Sequence, residues 1–261
     1  MLFWALAAVS LVLTAAFLIL RARRGQIYSA MTAALPDDSL RPVLRIPDTV
    51  DFSSRLFTVN GVLTAGQFDA LASQTRQLVE TERSYLPTHK KGGTVAYETL
   101  CAAAPDVVAL YRSDAMRELI SRIVGAPVLV TPVQDQSSCS VLFYERPGDH
   151  IDWHYDHNFY RGRHFTILLV LENRGHAPDG LSAARLLVSV DGGEHIVPTP
   201  PNTLVAFEGA KVLHKVTPIA DGERRVMLSM TFCSDPASSA LQGAARRIKD
   251  MAFFGPRALW T

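Results

Sequence analysis

Between Gly148 and Phe159 the chain reads GDHIDWHYDHNF, which places His150, Asp152, His154, Asp156 and His157 within eight residues. Imidazoles and carboxylates are the donors that first-row divalent metals take. An isolated His-x-Asp is a weak signal. In an extended strand alternate side chains share a face, so His154 and Asp156 are expected to point together to one side. If that side is the interior of a barrel, an unpaired carboxylate there is expensive, and a cation resolves the cost. Two imidazoles and one carboxylate on one face of an octahedral iron leave three positions open, which suits a cosubstrate and dioxygen. The second imidazole must come from farther along, where His164, His176, His195 and His214 are available. His214, in VLHKVTPIADGERRVMLSM, sits on a late strand with a basic strand after it. His164 fits an adjoining strand, His176 a turn-rich loop and His195 the start of a short strand.

Arg224 and Arg225 follow at the start of an otherwise apolar strand. A guanidinium inside a barrel needs an anion, and its planar fork binds a carboxylate bidentately. A dicarboxylate held on a metal at one end would then be clamped at the other. Alternation forces a choice, because an inward Arg225 brings Met227 and Ser229 with it, whereas an inward Arg224 brings Val226 and Leu228. The expectation is Arg225 inward and Arg224 solvated at the strand start.

These side chains need a frame. From Val128 onward the runs VLVTPV, SCSVLFYE, HFTILLVLE, RLLVSV, HIVPT, NTLVAF, VLHKV and RVMLSMTF are separated almost throughout by turn residues, the pattern of a sandwich or barrel. Two helices precede them and are expected to support the sheet. In the first, Thr64 and Gln67 are spaced as a capping box before Phe68, Leu71, Ala72, Thr75, Leu78 and Val79. In the second, Ser113 caps a run carrying Met116, Leu119, Ile120 and Ile123, with Gly125 at its end. THKKGGTVAYE, residues 88 to 98, reads as a basic, glycine-rich mobile loop near the site mouth. A short helix around Leu241 to Ile248 falls in the tail.

Residues 1–20 carry no charge and are followed by Arg21, Arg23 and Arg24. About 20 apolar helical residues span a bilayer, and basic residues mark the cytoplasmic end. A signal peptide would carry its basic residues first, and a core helix would be amphipathic. The expectation is a single-pass membrane protein with its catalytic domain cytoplasmic. A Pro-, Asp- and Ser-rich connector, residues 21–54, is then expected to behave as a coil that lets the site roam within about 30 Å of the bilayer. The formal net charge of +1, from 26 basic and 25 acidic residues, leaves no footprint for nucleic acid. Cys101, Cys139 and Cys233 show no zinc or disulfide spacing and fit a reducing compartment. Neither a nucleophile elbow nor a placed Cys/His pair is present.

The run YERPGDHIDWHYD, with its tyrosine, Pro-Gly turn and His-x-Asp strand, resembles the iron(II)/2-oxoglutarate-dependent dioxygenases, in particular the prolyl 4-hydroxylase-like branch. So does NTLVAFEGAKVLHKVTPIADGERR, with its apolar strand, distal histidine and Gly-x-Arg element. The resemblance covers about Phe57 to Pro236. It implies an α+β fold: a double-stranded β-helix (jelly-roll) core with supporting N-terminal helices, here preceded by a transmembrane helix. The domain would run over residues 55–236, with 237–261 a tail. It further implies that His154, Asp156 and His214 bind Fe(II), that Arg225 or Arg224 holds the distal carboxylate of 2-oxoglutarate, and that Tyr144 contacts the same cosubstrate. Dioxygen and an unknown primary substrate complete the reaction. One extra residue separates Tyr144 from the Pro-Gly turn, and a carboxylate at 156 argues against the family's halogenating variants. A non-catalytic jelly-roll binding module and a cupin-like metal enzyme of another class are the competing readings.

Overall fold

A computed structural model describes residues 2–33, 42–45, 48–78, 82–86, 89–190 and 192–255. Its centre is one curled, wholly antiparallel sheet. Strands β1 (Leu56–Asn60), β10 (Thr203–Phe207), β7 (His164–Arg174), β12 (Arg224–Cys233), β5 (Cys139–Tyr144) and β3 (Lys90–Val95) lie side by side in that order. The sheet then turns over through β6 (His150–His154), β11 (Leu213–Val216), β8 (Leu186–Val190) and β9 (Gly193–Val197). Two short strands, β2 (Glu82–Leu86) and β4 (Leu129–Val130), pair with β3 and β12. This is the half-barrel of a jelly-roll core.

Alternation sets what each face of the broad layer does. On β5, Val141 and Phe143 join the cluster facing the helices, while Leu142 and Tyr144 face the lumen. On β12, Val226 and Leu228 go outward to the helices, and Met227 goes inward. Both faces are therefore apolar, which is why these strands read as nearly continuous hydrophobic runs. The helical cover consists of α2 (Ala65–Arg76), α3 (Tyr97–Ala103), α4 (Pro105–Arg112) and α5 (Asp114–Val124). Helix α5 forms as its sequence dictates: the Ser113 hydroxyl accepts from the Met116 amide, Gly125 closes the helix at φ 68°, and Met116, Leu119, Ile120 and Ile123 are buried. At α2 the expected apolar face buries Leu71, Ala72 and Thr75, but no capping box forms. Gln67 Oε1 accepts instead from the Thr64 hydroxyl and from the Val43 amide, 3.1 and 3.2 Å away. Val79 lies outside the described residues.

Three expectations are corrected. The segment read as a mobile loop, residues 88 to 98, contains strand β3, which hydrogen-bonds into the middle of the sheet, and the start of α3; Thr88 lies outside the described residues. The connector is not a free coil. Helix α1 (Leu2–Ala33) runs well past residue 20, and Tyr28 is buried where its hydroxyl donates to Glu98 at 2.9 Å and accepts from Gln136 at 3.1 Å. Arg24 forms an ion pair with the same Glu98. Leu44 bridges to Leu63, so the chain is tied down again before β1; residues 34–41, 46 and 47 of the connector lie outside the described residues. The tail helix α6 (Ala240–Phe254) is longer than expected at both ends, starts from a Ser239–Gln242 capping box, and lies against β2.

Helix α1 is apolar enough over Phe3–Ala30 to cross a membrane, although length and composition alone would also admit a signal sequence. Phe3 and Trp4 are each 75% exposed, and no residue of the most apolar window is buried, so it is not a core helix.

Candidate metal centre

Strands β6 and β11 run antiparallel with His154 opposite His214, and their rings approach to 4.1 Å between centroids. Each ring is oriented by its own backbone. His154 Nδ1 lies 2.7 Å from the Asp152 carbonyl and His214 Nδ1 3.0 Å from the Val212 carbonyl. A carbonyl accepts only from N–H, so both Nδ1 atoms carry protons and both Nε2 lone pairs are free for a cation. Asp156, just past the end of β6, is fixed by its amide donating to the Gly209 carbonyl at 2.9 Å and by the Thr166 hydroxyl donating to Oδ2. Oδ1 is left 3.6 Å from His154 Nε2 and 3.9 Å from His214 Nε2. The three donor atoms lie within 4.8 Å of one another, the spread expected of ligands around one ion.

The electrostatics agree. Burial, reinforced by His214, lowers the His154 pKa to about 4, against the pull of Asp156. Burial works to raise the Asp156 pKa, but the two imidazoles and the Thr166 hydroxyl outweigh it and bring the value down to about 2. At neutral pH the site holds a neutral His154 imidazole and a carboxylate, the protonation states a divalent metal requires. Gly209 makes this possible sterically, since a Cβ there would fall 2.6 Å from Asp156 Oδ2 and 2.7 Å from the Thr166 hydroxyl.

The triad opens into a cavity of about 220 Å³ whose inner wall includes Leu142, Tyr144, Leu168, Leu186 and Phe207. Arg225 stands opposite Tyr144 in the β12–β5 register and is fully buried. Its Nη1 donates to the Ala184 carbonyl, but among the described residues Nε and Nη2 have no partner. Burial lowers its pKa to about 10, with Tyr144 acting in the opposite sense, and burial lifts the Tyr144 phenol to about 12 against the pull of Arg225. Arg224 takes the other face, where it pairs with Glu145 at 3.1 Å and Glu172 at 3.0 Å. Ser229 and Thr231 line the cavity, so of the two phases that alternation allows the strand has the one with Arg225 inward.

Of the other histidines, His176 and His195 are exposed, and His150 turns its Nδ1 to the Gly148 carbonyl. His164 does line the cavity, from β7, but it is not one of the three clustered donors. His89, whose ring meets His154 edge-on at 5.6 Å, and Lys90 on β3 lie in the segment that the sequence placed near the site mouth, although neither was singled out there; Lys249 and Phe253 on α6 were missed. The alternation Lys90, Gly92, Thr94 was the available signal, hidden by two glycines that made the run look like a loop.

Residues 54–177 match the family model of Halogenase D, a stretch that holds His154 and Asp156 and ends before His214. No curated protein matches the chain. Among solved structures, a Pseudomonas putida prolyl-4-hydroxylase is 22% identical, with 70% of this chain and 94% of that one covered at a TM-score of 0.51. An oxidoreductase of the 2OG-Fe(II) oxygenase family from Burkholderia pseudomallei is 11% identical over 75% of this chain and 97% of that one, at 0.58. The chain has the fold of the 2OG-Fe(II) oxygenases. The oxygenase fold is also that of SnoN, an α-ketoglutarate-dependent epimerase from nogalamycin biosynthesis, which is 15% identical over 73% of this chain and 83% of its own at 0.57.

If Asp156 is a ligand held by Gly209, a Gly209→Ala variant must displace it. The expected result is a loss of about tenfold or more in Fe(II) affinity by metal titration, the usual scale for disturbing a ligand's support. Amides of β12 should keep their hydrogen-exchange protection. Unchanged affinity in a variant that folds would remove Asp156 from the ligand set.

Proposed function

We propose that this protein is a membrane-anchored iron(II)- and 2-oxoglutarate-dependent oxygenase that hydroxylates an unactivated C–H bond of a protein side chain, a lipid or a small molecule. The observation that carries the reading is Arg225. A fully buried guanidinium with two unpartnered nitrogens, in the same barrel as a His-Asp-His cluster, is what a dicarboxylate bound between them would satisfy. A module that had lost catalysis would be expected to show a broken ligand set, and a cupin-like enzyme of another class needs no arginine clamp, whereas this chain has three clustered donors and the buried arginine.

His154 Nε2, Asp156 Oδ1 and His214 Nε2 would hold the iron, and the distal carboxylate of 2-oxoglutarate would lie on Arg225 with Tyr144 beside it. When bound, the metal and cosubstrate would supply the oxidising chemistry: 2-oxoglutarate would lose carbon dioxide and take one atom of dioxygen to become succinate, and the other atom would enter the substrate's C–H bond as a hydroxyl. The chain supplies geometry. Leu142, Leu168, Leu186 and Phe207 form an apolar sleeve that keeps water from the cosubstrate's methylenes. Backbone carbonyls lock both imidazoles before anything binds, so no reorientation accompanies metal entry. Asp156, as a carboxylate, fills a coordination position and favours hydroxylation over halogen transfer.

With Fe(II), the full-length protein should convert 2-oxoglutarate to succinate, and its substrate should gain the mass of one oxygen. Arg225→Met should raise the 2-oxoglutarate requirement about a hundredfold, the scale of two charge-assisted hydrogen bonds, while iron affinity stays within a few-fold. No 2-oxoglutarate consumption by the iron-loaded protein would refute the oxygenase, and a product isomeric with its substrate would replace hydroxylation by epimerisation.

We further propose that the domain faces the cytoplasm. Support comes from the arginines that follow the apolar stretch and from Cys101, Cys139 and Cys233, all buried and unpaired. Protease added outside intact spheroplasts should spare the domain and digest it only after lysis; digestion beforehand would reverse the orientation.

A further inference from the structure

Lys90 is a buried cation that the proposed reaction leaves unused. It sits on β3 opposite Ile151 of β6, the strand that carries His154, and is only 5% exposed. Lys90 and Thr94 line the same cavity as the triad. Gly92 between them keeps the strand close, since a Cβ there would meet the Phe143 carbonyl at 3.2 Å. Among the described residues no carboxylate or hydrogen-bond acceptor meets the Lys90 ammonium, which lies 4.5 Å from the centre of the Phe253 ring of α6. Its neighbour Lys91 donates to the Pro147 carbonyl at 2.7 Å.

The acidic groups at this end of the cavity are engaged elsewhere. Asp135 accepts from the Tyr160 hydroxyl at 2.6 Å and from the Ser137 amide at 3.0 Å, with Lys249 3.5 Å away. Asp250 is held by Arg246 at 2.8 Å and Lys249 at 2.7 Å. Asp156 belongs to the metal. With Fe(II), Asp156, the dianion of 2-oxoglutarate and Arg225 in place, the charges of the reaction centre cancel, and the Lys90 ammonium remains uncompensated. A lone ammonium in such surroundings is costly. Burial accordingly depresses its pKa to about 8, helped by Lys249 and opposed by Asp156.

Resting on the oxygenase reading above, we propose that the primary substrate carries a carboxylate, and that Lys90 receives it inside the cavity beneath Phe253. The single charge of one ammonium suits a carboxylate; a phosphate dianion asks for more positive charge. Apolar walls from Phe253 and Phe254 would take the adjoining alkyl portion.

The test uses the full-length protein in detergent, loaded with Mn(II) and the unreactive cosubstrate analogue N-oxalylglycine, with hexanoate, hexyl phosphate and hexanol as calorimetric probes. Hexanoate should bind better than the other two. Lys90→Met should weaken hexanoate about tenfold or more, Lys90→Arg should restore part of the loss, and N-oxalylglycine affinity should stay within about twofold in both. That unchanged affinity also certifies the fold. Equal hexanoate binding by wild type and Lys90→Met would overturn the proposal, and so would preference for hexyl phosphate. Weakened N-oxalylglycine would overturn it too, by assigning Lys90 to the cosubstrate. If wild type binds neither Mn(II) nor N-oxalylglycine, the oxygenase reading itself fails and the subsite falls with it.

Discussion

Asp156 brings a carboxylate to the mouth of a β-barrel, and much of the surrounding chain is arranged around keeping that charge aimed and balanced. Two imidazoles from antiparallel strands face it with their protons already committed to backbone carbonyls. Thr166 donates to the second oxygen, and Gly209 leaves the space that this same oxygen and the Thr166 hydroxyl need. None of these partners can be moved by one residue, because a one-residue slip in a strand turns each side chain to the opposite face. The β6–β11 register therefore fixes the geometry of the centre.

At the other end of the lumen the balance is left open. Arg225 is fully buried, and its unpartnered nitrogens cost on the order of 1–3 kcal/mol each, more where the charge is felt. A protein keeps such a group where a ligand completes it, and binding then stabilises the folded state. The negative pole at the triad and the positive pole at Arg225, joined by apolar walls, describe a molecule with a metal-binding head and an anionic tail.

Much of this was legible in the sequence wherever a period of two could be followed. Arg225, Met227 and Ser229 share the lumen face as alternation requires, and the paired carboxylates around Arg224 explain the doubled arginine. Strand β3 was not legible: KKGGTV has poor intrinsic strand character and is extended because β2, β5 and β6 supply its hydrogen bonds. The end of α1 was missed for a related reason. Hydropathy falls at Arg21, yet Arg, Ala, Gln and Met are good helix formers, and the contacts that hold Tyr28 come from residues 70 and 108 positions away. With Tyr28 about 12 Å of helix beyond residue 20, the domain is fastened to the end of the apolar helix and does not swing on a coil.

The central claim is that one metal and one dicarboxylate bind together between the triad and Arg225. The most direct measurement is a crystal structure of the protein with Mn(II) and N-oxalylglycine, with the metal located by its anomalous scattering. The account predicts a single metal peak at bonding distance from His154 Nε2, Asp156 Oδ1 and His214 Nε2, with the analogue's far carboxylate on Arg225 Nε and Nη2. A metal bound elsewhere, or an analogue whose carboxylate leaves Arg225 unpaired, would contradict it.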